Sequence, residues 1–322
     1  MDSKTRVLMS LSREKPDKVP FNFWMDRSLM SQYEEEIGHR HWRVTHYGAD
    51  VIESFHGLEF PVGPTVEQDG TVWISKPYFD SWDQIDDIPM PNPNEEKVYR
   101  LISADLEEFS DKAVLLNIIT PWGVIANMRT YENKYIDMYE RPEEFKQLSR
   151  KIGQLMNVVV ERACSMGVTA VYIQEDLATT KSLAMSLEMI DEFCLDYARD
   201  FVQIARSYNK PVLFHSDGMI LDLIEPLLKL GACAINPLQH NIIDPGEFKR
   251  RFGSKMAVYG GLDNCFIIPQ GTPEQIRSHV YDVFDKLGHP DGGLIMSTHD
   301  IPLGTSRENV EAMVAAIREC VY

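Results

Sequence analysis

Eight short apolar runs punctuate the 322-residue chain, at 19–24, 50–54, 113–119, 170–174, 211–215, 233–236, 257–260 and 293–297. Most are continuous rather than alternating, which is how a strand covered on both faces reads, because neither face is left to meet water. Between them lie amphipathic segments. Over 142–167, Leu148, Ile152, Leu155, Val159 and Ala163 recur at helical spacing. Segments 185–205, 221–229, 245–252, 273–286 and 306–320 follow, with Thr272-Pro273 and Ser306 as capped helix starts. Strand–helix alternation repeated about eight times favours a closed parallel barrel over an open doubly wound sheet. The sequence also lacks the G-x-G-x-x-G of a dinucleotide-binding unit. The expected fold is therefore α/β, a single (β/α)8 TIM barrel covering 1–322 as one domain, with an N-terminal extension. A β-hairpin insertion after strand two is read from 65–74, which alternates about Asp69-Gly70. The Pro-dense stretch 88–93 reads as a loop entering a helix near Asn94.

Charge narrows the partners. Asp and Glu number 49 against 32 Lys and Arg, a net charge of −17, with 44% apolar residues to supply a core. Such a surface repels phosphate backbones and anionic headgroups, which argues against nucleic acid and membrane partners. A small neutral ligand, a metal ion or a protein fits better. No apolar run approaches the roughly 20 residues of a membrane span, and charges interrupt the N-terminus where a signal peptide would be apolar. Five scattered cysteines without a CxxC pair argue against a disulfide framework. A cytoplasmic protein is expected, and a homodimer is left open.

In such a barrel the reactive groups lie at the C-terminal ends of the strands. The fourth run ends in Glu175-Asp176, the fifth in His215-Ser216-Asp217-Gly218, the sixth in Asn236-Pro237-Leu238-Gln239, the seventh in Asp263 and the eighth in His299-Asp300. His215 and Asp217 form an H-x-D pair whose side chains can turn toward one metal ion. His299 could add a second nitrogen and Glu175 a second oxygen. The same pair also fits a hydrogen-bonded barrel-top histidine, with Asp217 capping the next helix. His39, His41, His46 and His56 lie close in sequence without ligand spacing and read as surface residues.

These segments resemble the uroporphyrinogen decarboxylase superfamily, which holds the decarboxylases and the zinc-dependent, corrinoid-linked methyltransferases. The resemblance runs in order through 13–20, the Thr120-Pro121-Trp122-Gly123 loop, the Gly260-Gly261-Leu262-Asp263 segment and 299–310. It implies a (β/α)8 barrel. The decarboxylases carry an Arg-rich segment after strand one that holds the tetrapyrrole carboxylates. Here Met25-Asp26-Arg27-Ser28-Leu29 stands there, with one Arg, and Asn127 takes the place of the decarboxylase tyrosine. The methyltransferase branch has an H-x-C from strand five and a Cys from strand eight. On this chain His215 matches the His, while Asp217 and His299 replace the two cysteines. Glu175-Asp176-Leu177-Ala178 resembles the branch's E-D-x-A.

The resemblance thus implies an O-demethylase type of enzyme. Zn2+ would be held by His215, Asp217 and His299, with Glu175 as a further ligand, and would act as a Lewis acid on the substrate heteroatom. The methyl group would pass from a small methylated substrate to a corrinoid supplied by a partner protein. Glu175, His215 and His299 are then the catalytic candidates, with Asn236, Gln239 and Asp263 orienting the substrate or the ligands. A uroporphyrinogen decarboxylase is the alternative, and a tetrapyrrole- or corrinoid-binding barrel is a third reading. The chain has no D-x-H-x-x-G corrinoid motif of its own.

Overall fold

The structure, a computed structural model, describes residues 1–68 and 71–322. Its strands are β1 (Trp24–Met25), β2 (Val51–Phe55), β3 (Thr65–Gln68), β4 (Thr71–Ile74), β5 (Ala113–Ile119) and β6 (Ala170–Gln174). They continue with β7 (Val212–His215), β8 (Ala234–Asn236), β9 (Ala257–Gly261), β10 (Leu294–Ser297) and β11 (Asp300–Ile301). Seven form one curled parallel sheet in the order β2-β5-β6-β7-β8-β9-β10, each following its neighbour in sequence. The predicted TIM-barrel-like α/β fold is therefore present, and each of the seven later apolar runs became a sheet strand.

The first run is the exception. Residues 19–24 do not form a regular strand, yet they fill its place. Met296 N–H donates to the Pro20 carbonyl at 2.8 Å and Asn22 N–H to the Met296 carbonyl at 3.1 Å. On the other side Asp50 N–H donates to the Phe21 carbonyl at 2.8 Å. Pro20 has no N–H to donate, which keeps the ladder sparse here. One step further, β1 pairs in parallel with β11. Backbone bonds thus join the two edges of the sheet.

Alternation along each strand sorts the side chains. Val51, Leu115, Ala170, Leu213, Ala234, Ala257 and Ile295 form a buried cluster inside the barrel, joined by Tyr172 and Tyr259. The intervening Val114, Leu116, Val171 and Ile173 belong to the larger core shared with the outer helices. The N-terminal extension closes the bottom. Its helix Ser3–Leu11 contributes Val7 and Leu11 to the inner cluster. Arg6 donates to Asp50 at 2.8 Å and to Asp17 at 2.8 Å, while Asp50 also accepts the Phe21 N–H at 3.0 Å. One buried ion pair therefore ties the plug to the irregular first stave.

The inserted hairpin is antiparallel, with Val66 opposite Trp73, and its expected Asp69-Gly70 turn lies outside the described residues. Hydrogen bonds from Gly63 N–H to Asn127 O (2.9 Å) and from Tyr78 N–H to Met128 O (2.6 Å) fasten the insertion to the helix Pro121–Arg129. The expectation that the clustered histidines are surface residues is corrected in part. His41 is buried with Nε2 at 2.6 Å from Asp105, which also accepts from Ser54 Oγ at 2.6 Å, and His56 is half-buried. No helix among the described residues is long and apolar enough to cross a membrane.

The plug makes a prediction. Truncating Leu11, 2% exposed at the barrel floor, to Ala should cost about 2–5 kcal/mol, read as a lower urea midpoint at unchanged m-value.

Candidate functional site

Above the apolar floor the barrel interior turns polar. The cavity at its C-terminal mouth, about 230 Å3, is lined by Trp24, Phe55, Asn117, Tyr172, Gln174, His215, Asn236, Thr298, His299 and Asp300. Position explains the composition. Asn117 follows Leu115 at the next inward position of β5, Gln174 follows Tyr172 on β6, His215 follows Leu213 on β7, and Asn236 follows Ala234 on β8.

Three predicted residues meet here. His215, Asp217 and His299 bring one possible ligand atom each to within 4.8 Å of one another. The imidazoles lie 5.6 Å apart at a 30° tilt, and His299 Nε2 is 3.4 Å from Asp217 Oδ2. Asp217 Oδ1 is buried with no hydrogen-bond partner among the described residues. Gly218, which allows the turn after Asp217, has φ +89°, and a Cβ there would lie 2.3 Å from the Thr179 carbonyl. Its N–H donates to Gln239 Oε1 at 2.7 Å, so Gln239 secures this turn from the neighbouring strand end.

Glu175 lies elsewhere. Being one residue out of phase with Tyr172 and Gln174, it points outward, where its carboxylate accepts the Thr120 N–H at 2.6 Å and the Thr120 hydroxyl. It comes so close to Gly123 that a Cβ there would sit 2.9 Å from Oε1, which gives the Thr120-Pro121-Trp122-Gly123 loop its glycine. Lys134 is the nearby cation. Its Nζ stands 3.0 Å over the Trp122 ring, with Tyr131 and Tyr135 around it. Burial raises the Glu175 pKa and lowers that of Lys134, while each charge opposes the shift of the other.

Asp176 approaches the site instead. Its Oδ1 lies 3.4 Å from His215 Nε2, and the hydrogen bond from His215 holds its pKa below the ordinary value. Burial alone would lower the His215 pKa. The hydrogen bond to Asp176 and the charges of Asp217 and Asp176 outweigh it, leaving His215 at about 9. Asp300 is pushed upward, first by burial.

The other two candidates divide. Asn236 stands beside the trio, with Oδ1 at 2.7 Å from His215 Nδ1 and 2.6 Å from the Tyr172 hydroxyl that donates to it. Asp263 serves its own loop, accepting the N–H groups of Cys265 (2.8 Å) and Phe266 (2.9 Å). Beneath the cavity the sequence reading missed Glu53. This buried carboxylate accepts from Tyr259 OH at 2.6 Å and Trp24 Nε1 at 2.8 Å. A lone carboxylate inside the apolar run 50–54 was the available signal, and Tyr172 could have been found from its inward phase on β6.

A closed-barrel enzyme scaffold with a His/Asp/His cluster at its mouth is the class that fold and site define. The chain belongs to the uroporphyrinogen decarboxylase (URO-D) family, which it matches over residues 62–320. Among curated relatives, it is 24% identical over 248 residues to the uroporphyrinogen decarboxylase of Pseudomonas fluorescens, covering 73% of this chain and 67% of that one. It is 23% identical over 281 residues to that of Coxiella burnetii, covering 83% and 74%. Among solved structures, a methyltransferase from Methanosarcina mazei shares the fold with a TM-score of 0.72 at 16% identity, over 99% of each chain.

The His215 environment sets a pH dependence. Its pKa is raised on folding, so its stabilising contribution is complete below about pH 6.5 and lost as pH rises through about 9. In metal-free protein, urea unfolding should show the stability gap between the parent and H215Q narrowing from pH 6.5 to 9.5. An unchanged gap would contradict the assignment.

Proposed function

We propose that this chain is a zinc-dependent methyltransferase that moves a methyl group between a small substrate, preferentially a methyl ether, and a corrinoid carried by a partner protein. The observation that carries the reading is the convergence of His215, Asp217 and His299 at the mouth, with Asp217 Oδ1 buried and unpartnered. Two imidazoles and a carboxylate make a three-ligand set suited to zinc with a position left open. Those three residues would hold the ion; the orientation of Glu175 toward Thr120 removes it from the proposed set. When bound, Zn2+ would supply Lewis acidity to the substrate heteroatom, and an N/O ligand set suits oxygen better than sulfur.

The chain's own groups shape the rest. Trp24, Phe55 and Tyr172 offer apolar walls for a small substrate, and the Asn117 and Gln174 amides can orient its polar edge. Trp24 is held on one face by the Arg43 guanidinium, 4.1 Å from its ring centre. Exposed Phe55, Tyr131, Tyr139, Phe266 and Leu303 lie on segments that leave the C-terminal strand ends, which supports a docking surface for the partner protein there.

Decarboxylation of uroporphyrinogen is the second reading, favoured by the names of the curated relatives. Against it, neither Lys nor Arg lines the mouth cavity, so nothing there compensates a substrate of many carboxylates. Its volume of about 230 Å3 is also below the roughly 300–1,000 Å3 usual for larger ligands.

After zinc reconstitution we expect about one zinc per chain in the parent and a marked loss in H215A and H299A. With a reduced corrinoid protein and a panel of methoxyaromatics, methylamines and methyl thiols, methylcobalamin absorbance should rise only with zinc-loaded protein. Less than about 0.2 zinc per chain, unchanged by H215A, would reject the reading.

A further inference from the structure

Asn236 sits in an arrangement whose hydrogen-bond directions are forced. Its Nδ2 lies 2.7 Å from the Tyr259 backbone carbonyl, which can only accept. The amide must therefore turn its NH2 to β9, leaving Oδ1, which can only accept, to face β6 and β7. There it meets the Tyr172 hydroxyl at 2.6 Å and His215 Nδ1 at 2.7 Å. A contact at that distance requires the proton on Nδ1, since two acceptors would repel. The one lone pair left to a neutral His215 is then on Nε2, the atom that faces the Asp176 carboxylate at 3.4 Å. Asn236 is 5% exposed and Tyr172 2% exposed, so water does not compete for these bonds, and each lost partner would leave a buried polar atom unpaired.

We infer that Asn236 is a positioning residue for the metal centre: it fixes the His215 tautomer and ring orientation so that Nε2 is presented as the ligand. This rests on the metal reading above and deepens it. Asn236 need not touch substrate or metal. It transmits the backbone position of Tyr259 on β9 to the imidazole on β7, so the His215 ring is oriented by the barrel wall. Tyr172 completes the clamp by occupying the second acceptor direction of Oδ1.

The test is zinc affinity, measured by competition with a chromophoric chelator, together with the visible spectrum of Co2+ in the same site. N236L and the smaller N236S should bind zinc about 10–100-fold more weakly, as loss of a ligand's supporting hydrogen bond does. Their Co2+ spectra should change shape. A merely structural role would lower the unfolding midpoints of N236L and N236S while leaving the zinc affinity of the folded protein and its Co2+ spectrum unchanged, and that result overturns the inference. Should the parent itself bind no zinc, the metal reading falls and this inference with it. Parent binding with indifferent variants rejects the positioning role alone.

Discussion

The period of two along a β-strand, imposed on a sheet whose edges meet, is the constraint on which the rest of this molecule depends. Each inward residue shares its layer with inward residues from other strands, so layers are apolar or polar as a whole. Val51, Leu213 and Ile295 fill the lower interior with Val7 and Leu11 beneath them. One step up, Glu53, Asn117, Tyr172, His215 and Asn236 replace them. The site is therefore no addition to the scaffold. It is built on the upper inward positions of several strands, joined by Asp217 and His299 just beyond the ends of β7 and β10.

Burying such a layer is costly unless its hydrogen bonds are made. Here they largely are. Glu53 collects Tyr259, Trp24 and, at longer range, Asn22 and Asn117. Asn236 joins three strands through two side chains and one carbonyl. The exceptions are informative. Asn22 Oδ1 is unpartnered deep in the wall, and Asp217 Oδ1 is unpartnered at the mouth, beside two histidines. Only the second has the neighbours a cation would want.

The apolar runs at 113–119 and 170–174 were legible because strands buried on both faces have little other way to read. The first stave was less so, since Pro20 and the sparse ladder around Phe21 leave it without regular pairing. At the site, the strand ends point to His215, Asp217 and His299, and the structure brings these three together at one mouth. The choice between Glu175 and Asp176 turned on a single step of phase where the strand ends, and the backbone after Gln174 decides it. The tie from Asn236 to Tyr172 spans 64 residues and that from His41 to Asp105 spans 64 as well. Such pairings follow from packing, and no local pattern announces them. Exposure fails the same way: His41 stands in a polar stretch, yet the Asp105 carboxylate draws it inside.

The N-terminal helix has a consequence beyond stability. It fills the lower end of the barrel with Val7 and Leu11, and the cavity of the interior opens at the opposite end, the mouth. Traffic through that mouth would be ordered. Were the proposed partner protein to cover the mouth, a small molecule would have to be inside first, and whatever is left behind would depart only after that partner had stepped away. Under the proposed transfer, the pace of turnover would belong as much to the partner's residence time as to the chemistry.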